Sequence, residues 1–159
     1  MFVSLLRHGE ASFDASSDAN RELTELGRRQ VLASVKALKR VCDKPIAAIW
    51  SSPYVRARQS ADIAALELNL NVNIQTALMP ENNPVRVGEW VQALDKKSDV
   101  DSILLVSHMP LVGDLVSLLV DGNLHSPIPF YTGMIAQLYA ECALEGCFTI
   151  TDVLHPHTS

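Results

Sequence analysis

Phe2-Val3-Ser4-Leu5-Leu6-Arg7-His8-Gly9-Glu10 is a short apolar run that breaks off abruptly into four residues of another kind. A run of this length, closed by a glycine, is the pattern of a buried strand. Two later segments have the same form. Ile46 to Trp50 runs into Ser51-Ser52-Pro53, and Ile103 to Val106 runs into Ser107-His108-Met109-Pro110. Helical patterns lie between them. Strands that alternate with helices predict a three-layer α/β/α sandwich with a largely parallel central sheet. In open sheets of this kind ligands sit beyond the carboxyl ends of the strands. The three polar strand ends are therefore expected to surround one site.

Outward from these strands, residues 9–23 carry Ser, Asp, Ala and Asn without periodicity and are expected to form a loop. Thr24 is a candidate N-cap. Val31, Val35, Leu38 and Cys42 then recur at helical spacing, which predicts an amphipathic helix over 25–42. Its basic residues Lys36, Lys39 and Arg40 gather toward the C-terminus, where the helix dipole favours cations. Ser52 reads as a cap, and Pro53 as the first residue of a helix that runs to about Leu68. A short strand is expected over 72–75, a loop over 76–84 and helices over 85–97 and 110–120. A Gly- and Pro-containing loop over 121–132 leads to strands near 134–140 and 147–153. The expected organisation is a single domain over 1–154 with a frayed tail over 155–159.

Length and composition narrow the function. A chain of 159 residues suits one domain, and 48% apolar with 19% charged residues is a globular composition. The formal net charge of -5 gives no global attraction for nucleic acid or anionic lipid, so positive charge for an anionic substrate must be gathered locally. The three cysteines, Cys42, Cys142 and Cys147, form no C-x-x-C pair and read as reduced thiols, mostly packing residues. The first residues lack the basic start of a signal peptide, and no stretch approaches the ~20 apolar residues of a membrane span. A cytoplasmic protein with no membrane or nucleic-acid partner is expected. The absence of a Walker loop, of G-x-G-x-x-G and of G-x-S-x-G argues against an NTPase, a dinucleotide enzyme and an α/β-hydrolase. His125, His155 and His157 lack metal-ligand spacing, so neither metal nor cofactor is expected.

The chemistry gathers at the strand ends. A neutral imidazole such as His8 is a good nucleophile toward phosphorus. Gly9 beside it would let backbone N–H groups approach an anion. Arg7 can bind phosphate oxygens in bidentate fashion, and arginines nearby would lower the pKa of His8 and keep it neutral. Arg56 falls in the first turn of its helix, where the dipole disfavours a cation unless an anion is bound in front of it. Arg58 lies about 200° further around the helix and should face solvent. His108 could donate a hydrogen bond to a phosphate oxygen or a leaving group. Each of these residues taken singly also reads as an ordinary polar or surface residue.

Together, R-H-G-E at 7–10, S-S-P-Y-V-R-A-R-Q-S-A at 51–61 and S-H-M-P at 107–110 resemble the histidine phosphatase superfamily, whose fold is phosphoglycerate mutase-like. Arg21-Glu22-Leu23-Thr24 with Gly27 resembles that family's L-T-x-x-G segment. The short length and L-V-S-H-M-P-L-V-G at 105–113 resemble its small bacterial SixA branch, phosphohistidine phosphatases that act on phosphorelay proteins. The resemblance implies a metal-independent phosphatase with His8 as nucleophile and with Arg7, Arg56 and His108 binding the transferring phosphoryl group. Gly9, Arg21, Met109 and Glu81 would contribute to substrate binding, Arg21 at the mouth. Glu81 is either the acid that protonates the leaving group, as in larger members, or a solvated loop acid. The implied partner is a phosphohistidine-bearing signalling or phosphocarrier protein, met by a monomer. A leaving imidazole has a pKa near ~6.5, whereas an alkoxide is comparable to water at roughly 15.7, so an N–P bond needs the weaker acid. Hydrolysis of small phosphate esters and non-catalytic phosphate binding are the competing readings.

Overall fold

In a computed structural model, residues 1–97 and 99–156 are described. Ten regular elements follow in chain order: β1 (Phe2–Arg7), α1 (Glu25–Val41), β2 (Ala48–Ser51), α2 (Val55–Leu68), β3 (Val72–Ile74), α3 (Pro84–Lys97), β4 (Ser102–Ser107), α4 (Leu111–Asp121), β5 (Ile135–Tyr139) and β6 (Thr149–Leu154). Short 3-10 turns cover Asp18–Asn20 and Thr76–Leu78.

Side chains along a strand alternate between the two faces of a sheet, and both faces here are covered. On β1, Val3 and Leu5 enter one apolar cluster and Leu6 the other. On β4, Ile103 and Leu105 join the first, and Leu104 and Val106 the second. Helices α3 and α4 close the first cluster with Val87, Val91, Leu111 and Leu115. Helices α1 and α2 close the second with Val31, Val35, Leu38, Ala57 and Ala61. The small residues of α2 let it sit close to the sheet. This is the three-layer architecture expected from the alternation of elements.

The strand order is β3-β2-β4-β1-β5-β6. The first four strands are parallel, β5 runs antiparallel to β1, and β6 antiparallel to β5. The antiparallel turn has a simple origin. Helix α4 leaves the carboxyl end of β4, and residues 122–134 carry the chain back to that end before β5 begins. There the Gly133 N–H bonds the carbonyls of Arg7 and His8 at 3.0 Å each.

Thr24 caps α1 as expected, its hydroxyl accepting the Gly27 N–H at 3.0 Å. The start of α2 differs from expectation. The helix begins at Val55 with Tyr54 at the cap position, two residues beyond Pro53. Ser52 still accepts the Tyr54 N–H at 3.2 Å, but its hydroxyl is also engaged by His108, which holds it at the strand end instead of inside a helical turn. The loop over 9–23 contains the 3-10 turn and an isolated bridge between Ala11 and Leu23. Of the cysteines only Cys42 packs, half-buried; Cys142 and Cys147 are exposed. The expected tail falls partly outside the described residues, which end at Pro156.

Candidate active site

Strands β2, β4 and β1 are neighbours in the sheet, so their polar ends converge. The His8 N–H donates to the Ser107 carbonyl at 3.1 Å, and the Ser52 N–H to the Val106 carbonyl at 3.0 Å. The rings of His8 and His108 lie 5.1 Å apart. Arg56, on the second residue of α2, reaches the same point, while Arg58 faces solvent. His8, Arg56 and His108 are all buried, at 6%, 5% and 1% exposure.

Hydrogen bonds assign the atoms of His8. Its Nδ1 lies 2.7 Å from the Gly9 carbonyl oxygen, which can only accept, so the ring proton is on Nδ1. The Nε2 lone pair remains, and the Arg56 Nε–H donates to it at 3.2 Å. Burial pushes the His8 pKa down to about 4, against the pull of the Gly9 bond, and the charges of Arg56, Arg7 and Arg21 push it further down. The arginines thus act in the expected direction, but desolvation is the larger cause. His108 is lowered to about 3, first by burial and then by His8 and Arg56. Both rings are therefore neutral at pH 7.

Nitrogen-15 NMR titration should show His8 as the neutral Nδ1–H tautomer down to about pH 4, with midpoints near 6.5 only after unfolding. A folded His8 midpoint near 6.5 would contradict the buried site. Because the unfolded chain takes up these protons first, the two rings favour the fold fully above about pH 6.5. That contribution is lost as pH falls from there through the folded values.

Donors surround the free Nε2. Arg7 gives Nη1 to the Phe130 carbonyl at 2.7 Å, which orients its guanidinium. Its buried Nε has no partner among the described residues, and neither has His108 Nδ1. His108 Nε2 lies 2.8 Å from the Ser52 hydroxyl. The Ser52 hydroxyl accepts the Tyr54 N–H and either donates to this nitrogen or accepts from it, according to the tautomer of the ring. A buried donor without an acceptor costs about 1–3 kcal/mol. A bound oxyanion would remove that cost at Arg7 Nε, and at His108 Nδ1 in the tautomer that carries its proton there.

The remaining expected residues are placed as follows. Gly9 lies at the site, but its N–H donates to Ser60 Oγ at 3.1 Å. Its lack of a side chain serves close packing: a Cβ on Gly9 would run into the Gly27 carbonyl, and one on Gly27 into the Glu10 carbonyl. Arg21 is partly buried, its Nη1 pairing with Asp18 Oδ1 at 3.1 Å and its Nε donating to the Ser12 carbonyl at 3.0 Å. Glu81 is exposed on the rim, 3.5 Å from the Tyr54 hydroxyl. Met109 is half-buried and packs on the α3–α4 core, its thioether beside Gly113. Among the described residues no three His, Cys, Asp or Glu side chains are grouped so as to hold a metal ion.

Three residues at the site were not singled out in the sequence reading. Asp18 binds Arg56 twice, through its carbonyl at 2.7 Å and its carboxylate at 3.3 Å. Ser60, one helical turn beyond Arg56, bonds the Arg56 carbonyl at 2.7 Å and so ties α2 to Gly9. Tyr54 sets its ring 5.1 Å from the ring of His108 and 5.1 Å from the guanidinium carbon of Arg56. Ser60 could have been found from its i+4 spacing on the inner face of α2. The Asp18 contact crosses a loop without periodicity.

A histidine with a free ring nitrogen among arginines, at the carboxyl edge of this sheet, defines a phosphoryl-handling α/β enzyme. The model of the histidine phosphatase superfamily (branch 1) matches residues 3–83, and the chain belongs to that family. It is 35% identical over 146 residues to the phosphohistidine phosphatase SixA homolog of Haemophilus influenzae, covering 87% of both chains. It is 34% identical over 152 residues to phosphohistidine phosphatase SixA of Escherichia coli, covering 93% of this chain and 91% of the relative. A structure of the protein histidine phosphatase SixA complexed with tungstate superposes with a TM-score of 0.84 at 32% identity, over 98% of this chain and 97% of the other. A mycobacterial glucosyl-3-phosphoglycerate phosphatase shares the fold alone, with a TM-score of 0.73 at 16% identity. Among the described residues no helix is long and apolar enough to cross a membrane.

Proposed function

We propose that the protein is a phosphohistidine phosphatase that removes phosphate from a histidine on a partner protein, through a covalent intermediate at His8. The observation that carries this reading is the neutral His8 Nε2 lone pair, met by the Arg56 Nε–H, in a strand-end cluster where Arg7 Nε and His108 Nδ1 are buried and without a partner among the described residues. The lone pair attacks phosphorus, and Arg56 turns its Nε–H from the nitrogen to a phosphoryl oxygen. Arg7 Nε and His108 Nδ1 hold the other oxygens and stabilise charge in the transition state. The P–N bond to the substrate breaks, with its electron pair returning to the leaving imidazole. Water then attacks phospho-His8, the P–Nε2 bond breaks, and the proton of the water leaves with the inorganic phosphate. The Nδ1–H···Gly9 bond persists throughout, so His8 departs as a neutral imidazole. Two SixA-named relatives at 34–35% identity support the same substrate class, as does the tungstate complex, tungstate being a tetrahedral oxyanion like phosphate.

Substrate choice follows from the leaving group. Imidazole needs little protonation, and Glu81, the acid the resemblance offers for that role, is exposed and 3.5 Å from the Tyr54 hydroxyl. A histidine-phosphorylated phosphocarrier or phosphotransfer domain presents its phosphate on its own surface and suits an open entrance. Such a partner would place the protein in the cytoplasm. The test compares kcat/KM on a histidine-phosphorylated protein and on an alkyl phosphate, for the wild type and Glu81→Gln. The phosphoprotein should be the better substrate, and Glu81→Gln should lower its turnover less than about tenfold, below the usual share of a general acid. If the ester is preferred and Glu81→Gln abolishes its hydrolysis, the protein is a small-ester phosphatase instead.

A further inference from the structure

Asp18 is a carboxylate held at the entrance of a site built for anions. Its Oδ1 accepts from Arg21 at 3.1 Å and its Oδ2 from Arg56 at 3.3 Å. Arg56 in turn contacts His8 Nε2, so Asp18 stands one residue outward from the nucleophile. Its side chain is 60% exposed. A carboxylate has about four acceptor positions, and these two bonds leave the others uncommitted on a solvent-exposed side chain. In-line attack by Nε2 drives the leaving group away from His8 and toward this opening.

We propose that Asp18 is a specificity-determining residue, whose carboxylate selects a phosphorylated imidazole that is protonated on its second nitrogen over a dianionic phosphate ester. This rests on the phosphohistidine reading above. The phosphoryl group offsets Arg7 and Arg56 on the floor of the site. The substrate imidazolium then lies at the rim, where its N–H can donate to Asp18. The groups facing that position are Asp18 and Glu81 as acids, Arg7, Arg21 and Arg56 as cations, the two imidazoles of His8 and His108, and the Tyr54 hydroxyl. Asp18 remains ionised there, its pKa lowered first by the Arg21 hydrogen bond. Tyr54 stays protonated, raised first by burial and then by the charges of Glu81 and Asp18, and its hydroxyl lies 3.5 Å from Glu81. With the second nitrogen already protonated, P–N cleavage returns the electron pair to the first nitrogen and releases neutral imidazole. No proton has to be delivered. An ester has no such cation to pair with Asp18 and meets only its repulsion.

The test uses the full chain and two substrates, a histidine-phosphorylated peptide and p-nitrophenyl phosphate, across pH 5 to 9. The quantity read is the ratio of their kcat/KM values. Asp18→Asn should lower the peptide-to-ester ratio about tenfold, the scale of one charge-assisted hydrogen bond. Asp18→Glu, which keeps the charge, should restore most of it. The wild-type ratio should also persist to higher pH than that of Asp18→Asn, because the carboxylate raises the pKa of the bound imidazolium. A carboxylate that only positions Arg56 would change both substrates by the same factor. An unchanged ratio with unchanged pH dependence therefore removes this role while leaving the phosphohistidine reading intact. A wild type that hydrolyses the ester and never the phosphopeptide overturns both.

Discussion

Alanine at position 8 should reduce turnover by roughly 10⁴- to 10⁶-fold, the scale seen when an enzyme loses its nucleophile. Rapid quench of the wild type with labelled phosphoprotein should trap acid-labile, base-stable phosphate on the chain, and His8→Ala should carry none. The reason is the fixed tautomer. Gly9 holds the proton on Nδ1 at 2.7 Å, so Nε2 is a lone pair before substrate arrives. Burial, which lowers the pKa to about 4, keeps that lone pair available across the physiological range. The variant removes a buried ring from a strand end, so its melting transition must be shown to remain cooperative. Equal label on folded His8→Ala would assign the nucleophile to another residue.

Arg56→Ala should cost roughly 10²- to 10³-fold in kcat, the usual loss when a donor to developing transition-state charge is removed. Among the described residues Arg56 is the one side chain that donates to His8 Nε2, and its guanidinium is also clamped by Asp18 through two further bonds. Arg56→Lys restores charge but cannot reproduce the planar fork, so it should recover only part of the loss. Wild-type kcat in folded Arg56→Ala would take this residue out of the phosphoryl site. The contrast with Asp18→Asn is informative: Arg56 should affect both substrate types, whereas Asp18 should change the preference between them.

Much of the architecture was legible because its signals are local. The run from Phe2 to Leu6 is apolar but for the buried Ser4, since β1 is buried on both faces, and the spacing of Val31, Val35 and Leu38 followed one face of α1. His8, Arg56 and His108 were found because each sits where a strand stops or a helix starts, and a charged or titratable residue there needs a reason. The start of α2 was misplaced by two residues for a physical cause. Ser52 and Pro53 carry the usual helix-start pattern, but the Ser52 hydroxyl is drawn to His108, 56 positions away.

The sequence by itself therefore determined the order of strands and helices and the convergence of three strand ends, and it singled out His8 and Arg56 as the candidates for the chemistry there. All of these rest on neighbours within a turn or a strand. Only the tertiary structure decided which nitrogen of His8 is free, through the way the Gly9 carbonyl meets the ring. It also decided that burial outweighs the arginines in keeping that ring neutral. The job of Gly9 changed as well, from approaching an anion to packing against Gly27, because two backbones meet where side chains would collide. Asp18 entered the site only through contacts with Arg56, 38 residues distant. Hydrogen bonds and desolvation of this kind depend on where the chain passes in space, and periodicity carries no record of that.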